Sequence, residues 1–284
     1  MCDCLVALAP ATSDGVTLFA KNSDRPPHEE QLIERHDART EPSTTTTYLT
    51  IEPHRGPTIA FVGSRPAWMW GVEHGVNAAG VAVGNATIYT TLDPRGAPPA
   101  LTGMDLVRLA LERATTAAEA VEVMTTLLER HGQGGSGHRD VDRPYWSSFL
   151  VADPCTAFVV ETSGTAWEAL EVERTAATSN RTTLPAFDGE HRHPRQPVEQ
   201  LVDPRLEASR AVLAAGPATV ESLVAHLRSH VGGEGGWTVC MHVGDVEATT
   251  AAMVAELPVG APPVAHLCLG SPCTGTFSRI VVHP

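Results

Sequence analysis

Strand and helix signals in this chain arrive in blocks, and that order limits its fold more than any other feature. Short apolar runs come first, at 4–8, 16–20, 48–51, 58–62 and 80–88. Two helix starts follow. Thr102-Gly103-Met104-Asp105 has the form of a capping box ahead of Met104, Leu106, Val107, Leu109 and Leu111. Thr116, with Glu119 three residues on, opens a second helix that closes at His131-Gly132. Strand signals return at 148–152 and 157–161. Asp203-Pro204 then starts a helix ended by Gly216, a fourth helix covers 219–230, and 238–243, 263–269 and 277–282 are strands again. Strict βαβ alternation is absent, so the predicted class is α+β, with helices layered on largely antiparallel sheets. No repeat or Pro/Gly linker divides the chain, and the polar, His-rich stretch 185–202 reads as an excursion from one domain over 1–284.

The first two runs flank Ser13-Asp14-Gly15, a turn that predicts a hairpin at the N-terminus. With 284 residues and 42% hydrophobic content there is material for a sizeable core. A net charge of −13 argues against nucleic-acid or anionic-lipid partners. No window approaches the roughly 18 apolar residues of a membrane span, and the start, MCDCLVALAP, lacks a basic leader region. A soluble, cytoplasmic protein is expected, with its six cysteines reduced.

Cys2 directly follows Met1. Methionine removal would leave its thiol beside its own α-amine, and an α-amine ordinarily titrates at about 7.7–8.0, which suits a general base. A loose terminal cysteine is the bland alternative, and the hairpin argues against it by tying the terminus into a sheet. Cys4 falls on the same side of that strand, as a core residue or a second thiol. Lys21-Asn22-Ser23-Asp24 ends the second strand, which the hairpin brings back beside Cys2, either as a polar strand end at the surface or with Asp24 to hold the amine and Lys21 to lower the thiol pKa. Asn85 and Asn180 stand at strand ends, as turn residues or oxyanion donors. Arg210, four residues after Leu206 and three before Leu213, is expected on the inward face of its helix, either in structural pairing or at a site. Cys2-x-Cys4, Cys240-x-His242 and Cys268 with Cys273 match no standard zinc spacing, so neither a metal nor another cofactor is expected.

Cys2-Asp3-Cys4 with Val6-Ala7-Leu8, and Phe19-Ala20-Lys21-Asn22-Ser23-Asp24-Arg25-Pro26, resemble the opening of the secernins and their bacterial relatives. The likeness runs on through Ser64-Arg65-Pro66-Ala67-Trp68-Met69-Trp70-Gly71, Gly80-Val81-Ala82-Val83-Gly84-Asn85, Gly103-Met104-Asp105-Leu106-Val107-Arg108-Leu109, His131-Gly132-Gln133-Gly134-Gly135 and Thr249-Thr250-Ala251-Ala252-Met253-Val254. The stretch 182–204 matches poorly. Secernins resemble cysteine-type dipeptidases and, more distantly, penicillin V acylases and bile-salt hydrolases, which are N-terminal nucleophile (Ntn) hydrolases. The resemblance implies a four-layer αββα sandwich with Cys2 as nucleophile, Asp24 near its amine, Asn85 and Asn180 as oxyanion and orienting amides, and Arg210 as the catalytic arginine. Lys21 stands where the acylases carry Arg, and Cys4 where many relatives have Thr.

These observations lead to an expected cysteine Ntn hydrolase that cleaves a small amide, as a dipeptidase or N-acyl amidase, through a Cys2 thioester. Lys21, Arg65, Trp68 and Trp70 are the expected substrate contacts, with buried core tryptophans as the alternative reading. The expected partner is a small amide or dipeptide, and self-association is compatible with the sequence. Two rival readings stand beside this one: a non-hydrolytic secernin-like protein with a modified N-terminal cysteine, and an acyltransferase using the same thioester.

Overall fold

The structure is a computed structural model and describes residues 1–196 and 198–284. In chain order the strands and helices are β1 (Cys2–Ala7), β2 (Thr17–Arg25), β3 (Gln31–His36), β4 (Phe61–Pro66), β5 (His74–Asn77), β6 (Ala82–Ile88), α1 (Gly103–Arg113) and α2 (Ala117–His131). They continue with β7 (Trp146–Ala152), β8 (Ala157–Ser163), β9 (Ala166–Glu171), β10 (Thr175–Thr178), α3 (Pro185–His191), α4 (Val198–Leu201), α5 (Asp203–Ala214) and α6 (Val220–Leu227). The last are β11 (His242–Val243), β12 (Glu247–Leu257), β13 (Val264–Leu269) and β14 (Ser278–Val281).

Two seven-stranded antiparallel sheets result. The first has the order β10-β1-β2-β12-β13-β14 with β11 added against β12, and the second runs β3 to β9 in sequence. Alternation along each strand divides the apolar residues between two faces. Val6, Phe19, Met253 and Leu267 of the first sheet meet Val62, Ala82, Leu150 and Val159 of the second in a core between the sheets. On the opposite faces, Leu5, Leu18 and Val254 pack beneath α5 and α6, while Val83, Phe149 and Val151 pack beneath α1 and α2. The architecture is therefore α+β, a four-layer αββα sandwich. No helix among the described residues is long and apolar enough to cross a membrane.

Local sequence accounts for much of this. Thr102 and Asp105 form the reciprocal capping box at the start of α1, and Thr116 caps α2 through the Glu119 amide. Elsewhere tertiary context overrides the pattern. The run 48–51 forms only an isolated Thr45–Thr50 bridge, α6 stops at Leu227, and the stretch after Leu184 folds into the short helices α3 and α4. The eleven-residue β12 gave no strand signal, because its centre, Ala251 to Ala255, is buried on both faces and so does not alternate.

Gly71 brings the β4–β5 connection against the first turn of α1, where Val72 N donates to Met104 O at 3.0 Å. A Cβ at Gly71 would lie 2.3 Å from the Met104 carbonyl carbon, which is backbone and cannot swing aside. Gly71→Ala is expected to destabilise the protein by about 1–3 kcal/mol, read as a lower midpoint in urea unfolding; an unchanged midpoint would show that α1 shifts freely on its sheet.

Candidate functional site

The site grows from the register of the first hairpin. Pairing β1 with β2 sets Cys2 opposite Ser23, Asp3 opposite Asn22 and Cys4 opposite Lys21. Alternation then sends Cys2, Cys4, Lys21 and Ser23 between the sheets, and Asp3 and Asp24 toward the helices. Cys4 is a core residue there, packed among Val6 and Phe19.

Lys21 is fully buried, with Nζ 3.6 Å from Cys2 Sγ, 2.6 Å from Ser23 Oγ and 3.6 Å from Glu73 Oε2. Gly84 of β6 leaves room for this side chain, since a Cβ there would lie 2.6 Å from Lys21 Cδ. Lys21 donates to Ser23 Oγ, so the Ser23 hydroxyl donates in turn to His74 Nδ1, 3.0 Å away. Burial, reinforced by the Lys21 charge, keeps His74 neutral, with its pKa well below the usual range. Glu73 extends the chain outward to Arg25, which also binds Glu29 and the Gly137 carbonyl. Burial raises the Cys2 thiol pKa; Lys21 pulls it down, as expected, and the terminal ammonium does the same, but burial outweighs both and the net shift is upward.

On the helix side, Arg205 of α5 and Asp3 are both fully buried and paired at 2.6 Å. The same guanidinium donates to Asn180 Oδ1 at 3.0 Å, and that oxygen also accepts the Cys2 backbone N–H at 2.9 Å. Asn180 Nδ2 donates one hydrogen to Thr87 O at 2.9 Å, leaving a second. Ser179 binds Asp3 Oδ1 at 2.7 Å. Asp24 N donates to Met1 O, and Asp24 Oδ1 accepts from Thr249 Oγ1 at 2.6 Å. Asp24 Oδ2 is buried with no hydrogen-bond partner among the described residues. The Met1 ammonium is bound by Glu247 and the Asp24 carbonyl, and Met1 Sδ accepts from Arg205. Met1 lines a cavity of about 350 Å3 together with Tyr89, Arg143, Leu201, Val202 and Trp237.

The expected residues thus separate into two groups. Cys2, Lys21, Asp24 and Asn180 converge at one end of the first sheet. Arg210 does not join them: it is exposed, on the rim of a groove with Arg181, Asp203 and Glu207. At about 100° per residue it lies at the margin of a stripe formed by Val202, Arg205, Leu206, Ser209 and Leu213, and Arg205 is the inward arginine of α5. Asn85 also differs from expectation. Its parity in β6 matches Val83, so it points toward α1 and its Nδ2 contacts Met104 Sδ at 3.2 Å. Arg65 is held by Glu34 and by the carbonyls of Pro66, Ala67 and Met69, and Trp70 stacks under Arg108 with 4.1 Å to the ring centroid. Trp68 reaches only the outer end of the charge chain, 3.4 Å from Glu29 Oε2. Sequence reasoning missed Arg205, Glu247 and Glu73. For Arg205 a signal existed, because Arg205 and Ser209 share a face one helical turn apart.

Burial pushes the Asp24 carboxyl up to about 7, against the opposing pull of the terminal ammonium; nearby Asp3 raises it further and Arg205 lowers it. Between about pH 4, where an unfolded Asp titrates, and pH 7, the folded chain therefore holds the extra proton, and stability falls as pH rises. Asp24→Asn in the Met1-bearing chain is expected to flatten that slope and match or exceed the wild type at pH 8, by on the order of 2 kcal/mol. Urea titrations at pH 5 and pH 8 measure this, and a variant weaker at both would make the carboxylate a structural anchor.

The family model described as acyl-coenzyme A:6-aminopenicillanic acid acyl-transferase matches residues 12–161. Among solved structures, the chain is similar to a C2A mutant of conjugated bile acid hydrolase from Clostridium perfringens, at 13% identity and TM-score 0.61, over 99% of this chain and 92% of that one. It is similar to penicillin V acylase from Agrobacterium tumefaciens, at 13% identity and TM-score 0.64, over 98% and 86%. An N-acylethanolamine-hydrolyzing acid amidase ortholog from Caenorhabditis elegans follows at 15% identity and TM-score 0.53, over 89% and 91%. These likenesses carry the fold, that of the Ntn hydrolases. The family model spans more than half of the 284 residues, and the chain belongs to the acyl-coenzyme A:6-aminopenicillanic acid acyl-transferase family.

Proposed function

We propose that this protein is an amide hydrolase whose nucleophile is Cys2, exposed as the N-terminal residue when Met1 is removed. The observation that carries the reading is the convergence on one residue: the Cys2 sulfur beside Lys21 and the Cys2 nitrogen on the Asn180 carbonyl, with the unpartnered Asp24 oxygen nearby. With Met1 gone, that nitrogen is an amine. It takes the thiol proton, and the sulfur attacks the amide carbonyl carbon. The negative charge passes to the carbonyl oxygen, where the second Asn180 Nδ2 hydrogen stabilises it. The amine returns its proton to the leaving nitrogen, the C–N bond breaks, and a thioester remains for water to cleave with the same amine as base. Lys21 compensates the thiolate charge in a buried setting, and Arg205 acts as a positioning residue through Asp3 and Asn180. Asn85, Arg65 and Trp70 have no part in these steps.

Within this reading we assign the chain to the secernin-like, dipeptide-cleaving branch. Support comes from the Cys2-Asp3-Cys4 opening and from Glu247, a buried carboxylate that already binds an α-ammonium beside the nucleophile. A dipeptide presents that group and an N-acyl amine does not. Acyl transfer is the second reading, favoured by the description of the matching family model, and it differs only in an amine intercepting the thioester.

Cys2→Ala is expected to abolish turnover across a panel of dipeptides and N-acyl amines, and full activity in that variant would sink the mechanism. A chain that retains Met1 behind an N-terminal tag should lose about 10²–10⁴ in rate relative to a C-terminally tagged, processed chain, since a peptide nitrogen is no base. Intact mass establishes which form is assayed.

Glu247→Gln separates the substrate classes. Losing a charge-assisted bond worth about 1.5–3 kcal/mol should raise KM for dipeptides by roughly ten- to a hundredfold while leaving N-acyl amines unaffected. Equal effects on both would remove the dipeptide assignment but leave the Cys2 mechanism intact.

A further inference from the structure

Outside the group around Cys2, four side chains from two separate stretches of the chain meet beside β11. The ligand atoms of His230, Cys240, His242 and Cys273 all lie within 4.8 Å of one another. His242 Nε2 is 3.4 Å from Cys240 Sγ and 3.3 Å from Cys273 Sγ, and the His230 ring sits edge-on to His242 at 5.2 Å. Hydrogen bonding alone explains this poorly: one ring nitrogen carries either one hydrogen or one lone pair, and here it faces two sulfurs. Around a tetrahedral zinc ion, with Zn–S near 2.3 Å and Zn–N near 2.0–2.1 Å, neighbouring N and S ligands are separated by about 3.5 Å.

Backbone hydrogen bonds assemble this cluster. Cys240 N donates to Ser229 O at 2.9 Å and Val239 N to Val231 O at 3.0 Å, so the chain after α6 doubles back and lays His230 beside Cys240. His242 follows on β11, with its N–H on Gly236 O at 2.9 Å. Cys273 arrives from the β13–β14 connection, which is pinned by Ser271 Oγ to Thr249 O at 3.0 Å and by Arg228 to Gly275 O at 3.0 Å. Cys240 is buried, while His230 and His242 are exposed, so an ion has a path in from solvent.

We propose that His230, Cys240, His242 and Cys273 bind one zinc ion in a closed, structural Cys2His2 site. The two thiols release their protons to solvent and bind as thiolates, which makes the site neutral with Zn2+. Two thiolates and two imidazoles favour zinc over magnesium or calcium, and four protein ligands leave no position for a substrate. The sequence hid the site because His230, Cys240 and His242 lie too close together for a finger, and Cys273 is supplied by another loop. Its consequence lies in the loop it closes: Gly232 abuts Arg205, where a Cβ would lie 2.8 Å from Cγ, and Trp237 forms a wall of the Met1 cavity. Zinc would staple that wall to the β13–β14 connection.

The test uses the full chain, purified under reducing conditions from zinc-supplemented medium, with metal content measured by elemental analysis. One zinc per chain is expected, retained in Cys155→Ser and lost from Cys240→Ser and Cys273→Ser. His230→Ala removes an exposed ligand with little risk to folding, and should weaken zinc binding by more than about tenfold in competition with a chromophoric chelator. Cobalt(II) added to chelator-treated protein should give the intense visible bands and thiolate charge-transfer absorption of a tetrahedral site. Absence of stoichiometric zinc together with an octahedral cobalt spectrum would overturn the proposal, and so would a Cys240–Cys273 disulfide in the reduced preparation.

Discussion

The buried ion pair between Asp3 and Arg205 is the contact on which the rest of the site depends. It joins the strand that carries Cys2 to the helix layer, and neither side chain touches solvent. Removing one partner of such a pair typically costs about 3–5 kcal/mol, because the other charge is left buried and unmatched. The pair is therefore poor as a stabiliser and strong as a locating device. Arg205 also fixes the Asn180 carbonyl, and that carbonyl fixes the Cys2 nitrogen, so helix, strand end and Cys2 share one geometry.

On the opposite face of β1 the problem is a cation with no water. Burial works to neutralise Lys21, and the Glu73 carboxylate, 3.6 Å away, raises its pKa against that cost. Glu73 stays ionised because Arg25 and Lys21 oppose the cost of its own burial. The Arg25 guanidinium in turn needs Glu29 and a backbone carbonyl, and the sequence of compensation ends near Trp68 at the half-buried edge. Arg65, three residues before Trp68, belongs to another ion pair with Glu34. A residue's neighbours in the chain thus say little about which charge network it joins.

The legible parts of the sequence were the local ones. The Asp14-Gly15 turn, the Thr102 and Thr116 caps and the alternation in β1 and β2 each act within a few residues, and together they bring Lys21 and Asp24 to Cys2. Reading failed where the deciding contact was remote. Asn85 stands at the right end of β6, but strand parity, set by pairing with β7, turns it toward α1. Arg210 satisfies an i, i+4 relation to Leu206, yet the face of α5 that meets the sheet is centred nearer Arg205. The proposed zinc ligands follow no standard sequence spacing, since β12 and the β13–β14 loop bring Cys273 to the other three. Strand β12, the longest in the protein, was invisible because an alanine-rich segment covered on both sides lacks the alternation that marks a strand.

Met1 connects these observations to activity. In the chain that carries it, its ammonium is bound by Glu247, its carbonyl accepts from Asp24 N, its sulfur meets Arg205, and it lines a cavity with Tyr89 and Trp237. Under the proposed function, the Glu247 carboxylate and the cavity are features that a small amide substrate would use. Removing one residue therefore frees the carboxylate that binds an ammonium, enlarges the cavity, and turns the Cys2 nitrogen from a peptide donor into a base. The buried Asp24 oxygen is unpartnered, and in the proposed mechanism a positive charge on the Cys2 nitrogen lowers that carboxyl's pKa, as the Met1 ammonium already does. Burial raises the Cys2 thiol pKa, so the proposed mechanism needs the amine as its base. Under the proposed mechanism, one cleavage creates the base and opens the binding site together.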